Sequence, residues 1–363
     1  MNLIEDFRDK RSILALAKKI RLLHGEAREI SVMEICGGHT HSIIKFGLPD
    51  LLKGVVKFVH GPGCPVCIMP RERIDEAIKL ASMDGVIFCT LADMMRVPGS
   101  FNSLQKLRAE GRDIRALYTP LDALKIAKQN PEKKVIFFAI GFETTTPMTA
   151  ILLKNARQEG LKNFFIHANH VTVPAPVRAI LLDGKAKIDA FLGPSHVSVI
   201  TGSKIYEPIV SEFQKPIAVS GFEPLDIMAA CLNLVWQRKN RRCEVFNEYN
   251  RVVTREGNVA AQRLVEQFLE PCDFNWRGLG VIAQSGMKLR DEFSEFDAQK
   301  VFDCKVLDGK KESKSCICGE ILRGLKEPPE CSVFGKACTP QNPVGSCMVS
   351  SEGACAAYYK YRR

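Results

Sequence analysis

The sequence lacks the features of a membrane or secreted protein. Its longest strongly apolar run, Val135–Phe142, has eight residues, whereas a membrane-spanning helix needs about 20. The first eleven residues, MNLIEDFRDKR, place charges on both sides of two apolar residues and contain no signal-peptide core. We therefore expect no membrane partner and no secretion, and we predict a cytoplasmic protein.

Several common catalytic motifs are absent as well. The sequence contains no GxxxxGK[ST] loop, no GxGxxG, no HExxH and no GxSxG. It contains no CxxxCxxC, which argues against a radical enzyme that uses S-adenosylmethionine. The formal charge is +10, but the densest basic run, residues 238–242, is short and lacks interleaved aromatic residues. We interpret it as a solvated helix end and expect no nucleic-acid partner.

The overall composition is that of a globular protein. Of 363 residues, 46% are hydrophobic and 25% are charged, so a sizeable core is expected and disorder is not. A chain of this length is typical of two or three domains.

Cysteine is the abundant exception, with 14 residues. In a reducing compartment such thiols point to metal binding or redox chemistry rather than to structural disulfides. Six lie in the last 48 residues, and three more lie near the N-terminus. The C-terminal six are Cys316, Cys318, Cys331, Cys338, Cys347 and Cys355, and the N-terminal three are Cys36, Cys64 and Cys67.

Short apolar runs alternate with helical patterns from residue 12 to residue 238, which predicts an α/β fold with parallel sheets. A single barrel fits the number of strands, but two doubly wound sheets fit the break at Asn130-Pro131 better. We predict α/β domains at residues 1–130 and 131–245. A small loop-rich domain is predicted at residues 246–363, and we expect a metal site to hold it together.

The first motif is CGGHTH, which begins at Cys36 after a predicted strand. Ligands bind at the carboxyl ends of strands in open α/β sheets. The Cys36 thiolate and His39 would offer one soft and one borderline metal ligand. The alternative is a buried cysteine at a turn with two exposed histidines.

The second motif is HGPGCPVC, in which Cys64 and Cys67 form a CxxC pair. This spacing closes a small disulfide ring and commonly lowers a thiol pKa, as in redox or metal-binding pairs. A helix predicted from Pro70 would favour the thiolate form.

The third motif is GFETTTP, residues 141–147, in which a strand end is followed by a carboxylate and three threonines. Backbone amides there can hold an anion, and Glu143 can accept hydrogen bonds or orient a ligand. A simpler interpretation is a helix cap at Thr145 or Thr146, with Pro147 at the first helical position.

Spacing alone leaves the C-terminal cysteines open. Neither paired zinc-knuckle units nor the common ferredoxin runs are present, so a zinc site stays an alternative to a cluster. Cys89 and Cys231 are interpreted as core residues. Cys243, Cys272 and Cys304 have no partner at a telling spacing, and His167 and His170 are interpreted as structural.

Together these motifs, with the ending CTPQNPVGSCMVSSEGACAAYYKY, resemble the HypD family of hydrogenase maturation factors from about Cys36 to Tyr361. The resemblance implies a scaffold that assembles the Fe(CN)₂CO group of [NiFe]-hydrogenases. Iron would be held at Cys36 and near Cys64 and Cys67.

The resemblance also implies a [4Fe–4S] cluster on Cys316, Cys331, Cys338 and Cys355. It further implies that Cys318 and Cys347 form a thiol pair near the cluster, similar to the arrangement in ferredoxin–thioredoxin reductase. The implied partners are a small HypC-type chaperone, a HypE-type cyanide donor and, indirectly, the hydrogenase large subunit.

Two alternatives to the scaffold remain. A stand-alone [4Fe–4S] thiol–disulfide oxidoreductase would need the CxxC pair and the cluster but not CGGHTH. A zinc-stapled α/β binding module would bind zinc and be colourless. The sequence leaves open whether the protein is an enzyme, and we expect an assembly scaffold with redox activity.

Overall fold

The computed structural model describes residues 5–306 and 315–362. The strands are β1 (Ile30–Glu34), β2 (Val56–His60), β3 (Val86–Thr90), β4 (Ile114–Ala116), β5 (Lys134–Gly141), β6 (Phe164–Val171), β7 (Ala190–Pro194), β8 (Ile217–Ser220), β9 (Val245–Asn247), β10 (Leu269–Trp276) and β11 (Gly280–Leu289).

The helices of the first half are α1 (Lys10–His24), α2 (Gly37–Lys45), α3 (Leu48–Leu51), α4 (Pro65–Ile68), α5 (Arg71–Ala81), α6 (Leu104–Ala109), α7 (Asp122–Gln129), α8 (Thr146–Gln158) and α9 (Pro174–Asp183). Those of the second half are α10 (Ser195–Thr201), α11 (Glu207–Phe213), α12 (Pro224–Lys239), α13 (Val259–Phe268), α14 (Ala298–Phe302), α15 (Cys318–Leu322) and α16 (Ala354–Tyr361). Short 3₁₀ turns lie at Asp6–Arg8, Ala92–Arg96, Ser203–Tyr206, Asp291–Phe296, Pro328–Glu330 and Ser346–Met348.

Two sheets form the framework, and the predicted α/β class with two predominantly parallel sheets is confirmed. The first has the order β2-β1-β7-β8-β9 and the second β10-β11-β6-β5-β3-β4. The sequence pattern suggested that the two sheets divide at residue 130, but they do not. β1 pairs with β7 rather than with β3, because pairing is decided by burial of both strand faces and not by order along the chain.

The first sheet is parallel throughout. Its apolar side chains, such as Val32 and Leu192, are fully buried against α1 and α12. α1 begins at the Asp9 cap, whose carboxylate accepts from the Ser12 N–H, and ends at Gly25, which has a positive φ. The two helices cover one face of the sheet and leave the carboxyl ends of its strands open.

The second sheet combines four parallel strands with an antiparallel hairpin, β10–β11, that joins β6. The sequence pattern did not predict this hairpin. Its strands mix buried, half-buried and exposed residues instead of forming an apolar run, and Phe274 and Trp276 are buried in the core. Gly278 and Gly280 lie at the turn with φ near +77° and +78°, a conformation that favours glycine.

The segment from residue 315 to residue 362 is rich in loops and turns, as predicted. Its last helix, α16, packs on α2, and the 3₁₀ turn at Ser346–Met348 packs on α4. The C-terminal cysteines therefore lie beside the N-terminal motifs. Within the described residues, no helix is long and apolar enough to cross a membrane.

Candidate functional site

Cys36 lies at the junction between the carboxyl end of β1 and the start of α2. It is the N-cap of α2, and its Sγ accepts the Gly38 N–H at 3.4 Å. The glycines therefore begin a helix rather than a free turn. Their lack of side chains is required, because an added methyl would overlap Glu352 at Gly37 and contact Phe222 at Gly38.

The Cys36 thiol lies in a buried and polar environment. Burial, and then the neighbouring Glu352 carboxyl, raise its pKa above the ordinary thiol value. The Nδ1 atom of His196 lies 3.9 Å from Cys36 Sγ. Burial lowers the pKa of His196 to about 4, so its imidazole is neutral at physiological pH and has a lone pair for a ligand. The sequence analysis missed His196, which follows β7 within GPSHVS.

His39 is fully buried, so the alternative with two exposed histidines is wrong for this residue. Its Nε2 lies 3.2 Å from the Ser220 carbonyl and 3.0 Å from the Gly221 carbonyl. A nitrogen facing two carbonyl oxygens carries the proton and is not free as a ligand. Burial lowers the pKa of His39 to about 4. Its observed contacts join α2 to the end of β8, whereas Nδ1 has no hydrogen-bond partner.

Cys64 and Cys67 form a disulfide directly beside Cys36. Cys64 is the N-cap of the short helix α4, and its Sγ accepts the Cys67 N–H at 3.2 Å. The Gly37 N–H donates to the Gly63 carbonyl at 3.3 Å. A methyl group at Gly63 would overlap the backbone of Cys36, so the two motifs are in backbone contact.

Behind these motifs lies a buried polar network that the sequence analysis missed. Glu34 accepts hydrogen bonds from the Cys36 N–H at 3.2 Å, from His60 Nδ1 at 2.7 Å and from the Thr40 hydroxyl. Burial raises the pKa of Glu34, and its contact with His60 opposes that shift. Since Glu34 ends β1 and His60 ends β2, the network fixes the two motif loops relative to each other.

Glu143 is half-buried and lies two residues after the end of β5. Its Oε1 accepts the Val173 N–H at 3.0 Å, whereas the buried Oε2 has no hydrogen-bond partner among the described residues. Burial raises the pKa of Glu143 to about 7. Thr145 is the N-cap position of α8, but its hydroxyl donates back to the Ile140 and Phe142 carbonyls instead of capping the helix. The side-chain cap expected at Thr145 is therefore not formed.

A cavity of about 400 Å³ opens between these elements. It is lined by residues of the CxxC loop, of the GFETTTP motif and of the segments that carry His196 and Glu352. They include Gly63, Val66, Asp93, Gly141, Thr144, Thr145, His196 and Glu352. The CxxC loop and His196 follow strands of the first sheet and Gly141 ends a strand of the second, so carboxyl ends of strands from both sheets meet at this cavity.

The C-terminal segment brings the remaining cysteines together. The charges of Cys316, Cys331 and Cys338 all act on the Cys355 thiol, and together with burial they raise its pKa. Cys331, Cys338 and Cys355 are buried, and Cys316 is half-buried. The Val344 N–H points to Cys338 Sγ at 3.4 Å. Four thiols in mutual electrostatic contact, one with an N–H donor, fit an iron–sulfur cluster.

The pair Cys318 and Cys347 forms a second disulfide between these thiols and the N-terminal pair. Next to it, Gly345 faces the four-thiol group, since a methyl there would stand 2.6 Å from Cys316 Sγ. On the other side, the Ser346 hydroxyl donates to the Cys67 carbonyl at 2.9 Å. Contacts therefore continue from the four thiols to the CxxC loop.

The fold and the site define an α/β protein in which two cysteine pairs connect a four-thiol group with a buried cysteine at a cavity. The HypD family model, described as "Hydrogenase formation hypA family", matches residues 11–362. The chain is 48% identical over 370 residues to "Hydrogenase maturation factor HypD" of Azotobacter vinelandii, covering 100% of this chain and 97% of the relative.

Two further relatives agree. "Hydrogenase expression/formation protein HupD" of Azotobacter chroococcum mcd 1 is 49% identical and is covered to 97%. "Hydrogenase maturation factor HypD" of Escherichia coli K12 is 44% identical and is covered to 99%. Both alignments span 100% of this chain. The chain belongs to the HypD family of hydrogenase maturation factors.

Proposed function

We propose that this protein, together with a small HypC-type chaperone, is the scaffold on which the Fe(CN)₂CO group of [NiFe]-hydrogenases is assembled. Iron is held as cargo by Cys36 and the region of Cys64 and Cys67. A HypE-type protein supplies cyanide, and the hydrogenase large subunit receives the finished group indirectly. The work takes place in the cytoplasm, where thiols stay reducible.

The observation that carries this proposal is the continuous line of contacts from the four C-terminal thiols to Cys36. It passes through Gly345, the Cys318–Cys347 pair, Ser346 and the CxxC loop. A scaffold that holds iron and also changes the redox state of that iron needs an iron-holding thiol and redox-active thiols close together. A structural zinc staple would not need two additional cysteine pairs along this line of contacts.

Cys36 is suited to a cargo that must later leave. Its buried thiol resists ionisation without a metal, whereas a bound iron stabilises the thiolate directly. The geometry offers one thiolate and the neutral His196 on one side of the cavity. Other iron positions remain free for cyanide, CO and a thiolate from the chaperone, since soft ligands suit such a centre.

Cys316, Cys331, Cys338 and Cys355 would hold a [4Fe–4S] cluster. When bound, such a cluster supplies single electrons. The Val344 N–H at Cys338 Sγ and the burial of three of the thiols would tune its potential.

The cysteine pairs themselves exchange two electrons. In the dithiol state, a Cys318 or Cys347 thiolate attacks the Cys64–Cys67 disulfide and forms a mixed disulfide. The second thiolate resolves it, so the Cys318–Cys347 bond forms and the Cys64–Cys67 bond breaks. The two protons that leave Cys318 and Cys347 pass to Cys64 and Cys67, and binding of iron to these thiols would release them. Restoring the reduced Cys318–Cys347 pair takes two electrons and two protons, so an external one-electron donor protein must deliver an electron twice.

The test is anaerobic purification of the protein with its HypC-type chaperone, with the HypE-type donor co-expressed, followed by infrared spectroscopy of the CO and CN stretching region. We expect bands in the wild type and none in Cys36→Ser, because serine keeps the N-cap of α2 but is a poor iron ligand. Cys231→Ala is the matched control, since Cys231 is buried within α12. Absence of bands from the wild-type complex would contradict the proposal.

Cys64→Ser tests the redox part separately. We expect the cluster iron to persist while loading of cyanide and CO falls. Full loading in this variant would refute the exchange between the two pairs.

The two disulfides also fit a second candidate, a stand-alone [4Fe–4S] thiol–disulfide oxidoreductase. In that case, turnover of a protein disulfide should survive Cys36→Ala in the absence of the chaperone. Loss of turnover in this variant would favour the scaffold.

A further inference from the structure

A second group of metal-ligand side chains lies in the other sheet, apart from the line of cysteines. Glu76 comes from α5, His167 from β6 and Cys304 from the segment after α14. One ligand atom from each lies within 4.8 Å of the other two. The three residues are 7%, 0% and 1% exposed, so the group is fully enclosed by protein.

We propose that Glu76, His167 and Cys304 bind one divalent metal ion, with zinc as the best match. A thiolate, an imidazole and a carboxylate are the three ligand types that protein zinc sites use. A sulfur ligand disfavours magnesium and calcium, which take oxygen ligands. The fourth position would be taken by water, because only three protein ligands come together here among the described residues.

The distances agree with this assignment. His167 Nε2 lies 3.1 Å from Glu76 Oε2. Two ligands at about 2.0–2.2 Å from a tetrahedral zinc stand about 3.3 Å apart. A thiolate at about 2.3 Å would stand about 3.6 Å from either of them. From the 4.8 Å limit of the observed group, the sulfur therefore needs to approach by about 1.2 Å at most.

The surrounding residues position the ligands. The imidazole of His167 stacks on Phe138 with ring centroids 5.1 Å apart and planes 17° apart. Gln299 Nε2 and Arg73 Nη1 donate to Glu76 Oε2 at 2.9 Å and 3.0 Å, which fixes the carboxylate. The positive charge of Arg73 repels a cation, but the negative charges of the thiolate and the carboxylate balance the two positive charges of the metal.

His167 also has an unused nitrogen. Within the part of the chain that the structure describes, Nδ1 is buried without a hydrogen-bond partner, as is Nδ1 of His170. A hydrogen bond between His167 and Glu76 is enough to explain the position of Nε2. It does not explain why the Cys304 sulfur lies close to both side chains. A shared metal accounts for all three side chains.

The consequence is structural. Lys79 Nζ donates to the carbonyls of Asp303 and Lys305 at 3.1 Å and 3.2 Å. The metal would add a second and stronger attachment of this segment to α5 and β6. It would fasten the chain shortly before the cysteine-rich segment begins.

The test measures zinc and iron per chain in anaerobically purified protein. We expect about one zinc beside the cluster iron, and loss of that zinc in both Cys304→Ala and His167→Gln. Cys89→Ala is the matched control, because Cys89 is a buried cysteine of the same sheet with no such neighbours. Equal zinc in all variants, or no zinc in the wild type, would overturn the proposal.

Zinc-edge X-ray absorption of the wild type avoids dependence on the folding of the variants. One sulfur and three nitrogen or oxygen ligands are expected. Four sulfur ligands would mean that the zinc occupies the C-terminal thiols, and the site proposed here would be wrong. Neither measurement requires hydrogenase maturation to occur.

Discussion

Replacing Glu143 with glutamine should change how stability depends on pH. Burial raises the pKa of Glu143 from 4.5 to about 7, and Oε2 has no partner that would stabilise the charged form. Between these two values the folded protein holds a proton that the unfolded chain has released. The free energy of unfolding of the wild type therefore falls as pH rises through this window.

The magnitude follows from the same two values. A change from 4.5 to about 7 corresponds to about 3 kcal/mol. Glutamine keeps the oxygen that accepts the Val173 N–H and has no proton to lose. We expect Glu143→Gln to gain up to about 3 kcal/mol relative to the wild type between pH 4.5 and pH 8.

The assay is urea unfolding of both proteins at pH 5, 6, 7 and 8 under anaerobic conditions. The surface pair Glu212–Arg178 provides a control, since Arg178 lowers the pKa of Glu212. Glu212→Gln should be slightly less stable than the wild type by a constant amount over this range. A constant difference for Glu143→Gln as well would refute the reasoning about its burial.

Three further changes test the site. Gly63→Ala should cost more than about 2 kcal/mol of unfolding free energy, because the added methyl overlaps the Cys36 backbone. The control is Gly54→Ala, whose methyl would stand in open space at φ +79° and which should cost about 1 kcal/mol. Equal costs in urea unfolding would contradict the backbone contact. His60→Phe removes the His60 partner of the buried Glu34 and should cost about 3 kcal/mol of unfolding free energy. Arg178→Ala breaks an exposed pair and should cost clearly less. Similar costs would argue against a buried network. His196→Ala should shift or weaken the infrared cyanide bands while the cluster iron is retained, and unchanged bands would exclude contact between His196 and the cargo.

Much of the candidate site was predictable because strand ends carry it. Cys36, the CxxC pair and Glu143 each follow a strong apolar run, and parallel strands end at one edge. His196 also follows a strand, but β7 is short, and a lone histidine gives no motif. Glu352 reaches Cys36 from a loop near the C-terminus, a contact that only tertiary packing decides.

The sheet order and the hairpin were less predictable for a different reason. An apolar run shows that a strand is buried on both faces but not which strand lies beside it. The alternating pattern of β10 is interrupted by a bulge between Cys272 and Phe274, which obscures its period. The HypD resemblance indicated the cysteine pairs, whereas no sequence pattern connected Glu76, His167 and Cys304.

The pairing of β1 with β7 has a consequence for how the chain is made. Val32 cannot pair with Ala190 until a further 158 residues have been translated. At about 5–20 residues per second, the ribosome needs about 8–30 s for this segment. Strands β3–β6 are translated during that interval, so these parallel strands have the opportunity to pair first. Glu352, which neighbours Cys36, is translated after every strand of both sheets. A nascent chain that has not yet reached Glu352 therefore has an incomplete cavity beside Cys36.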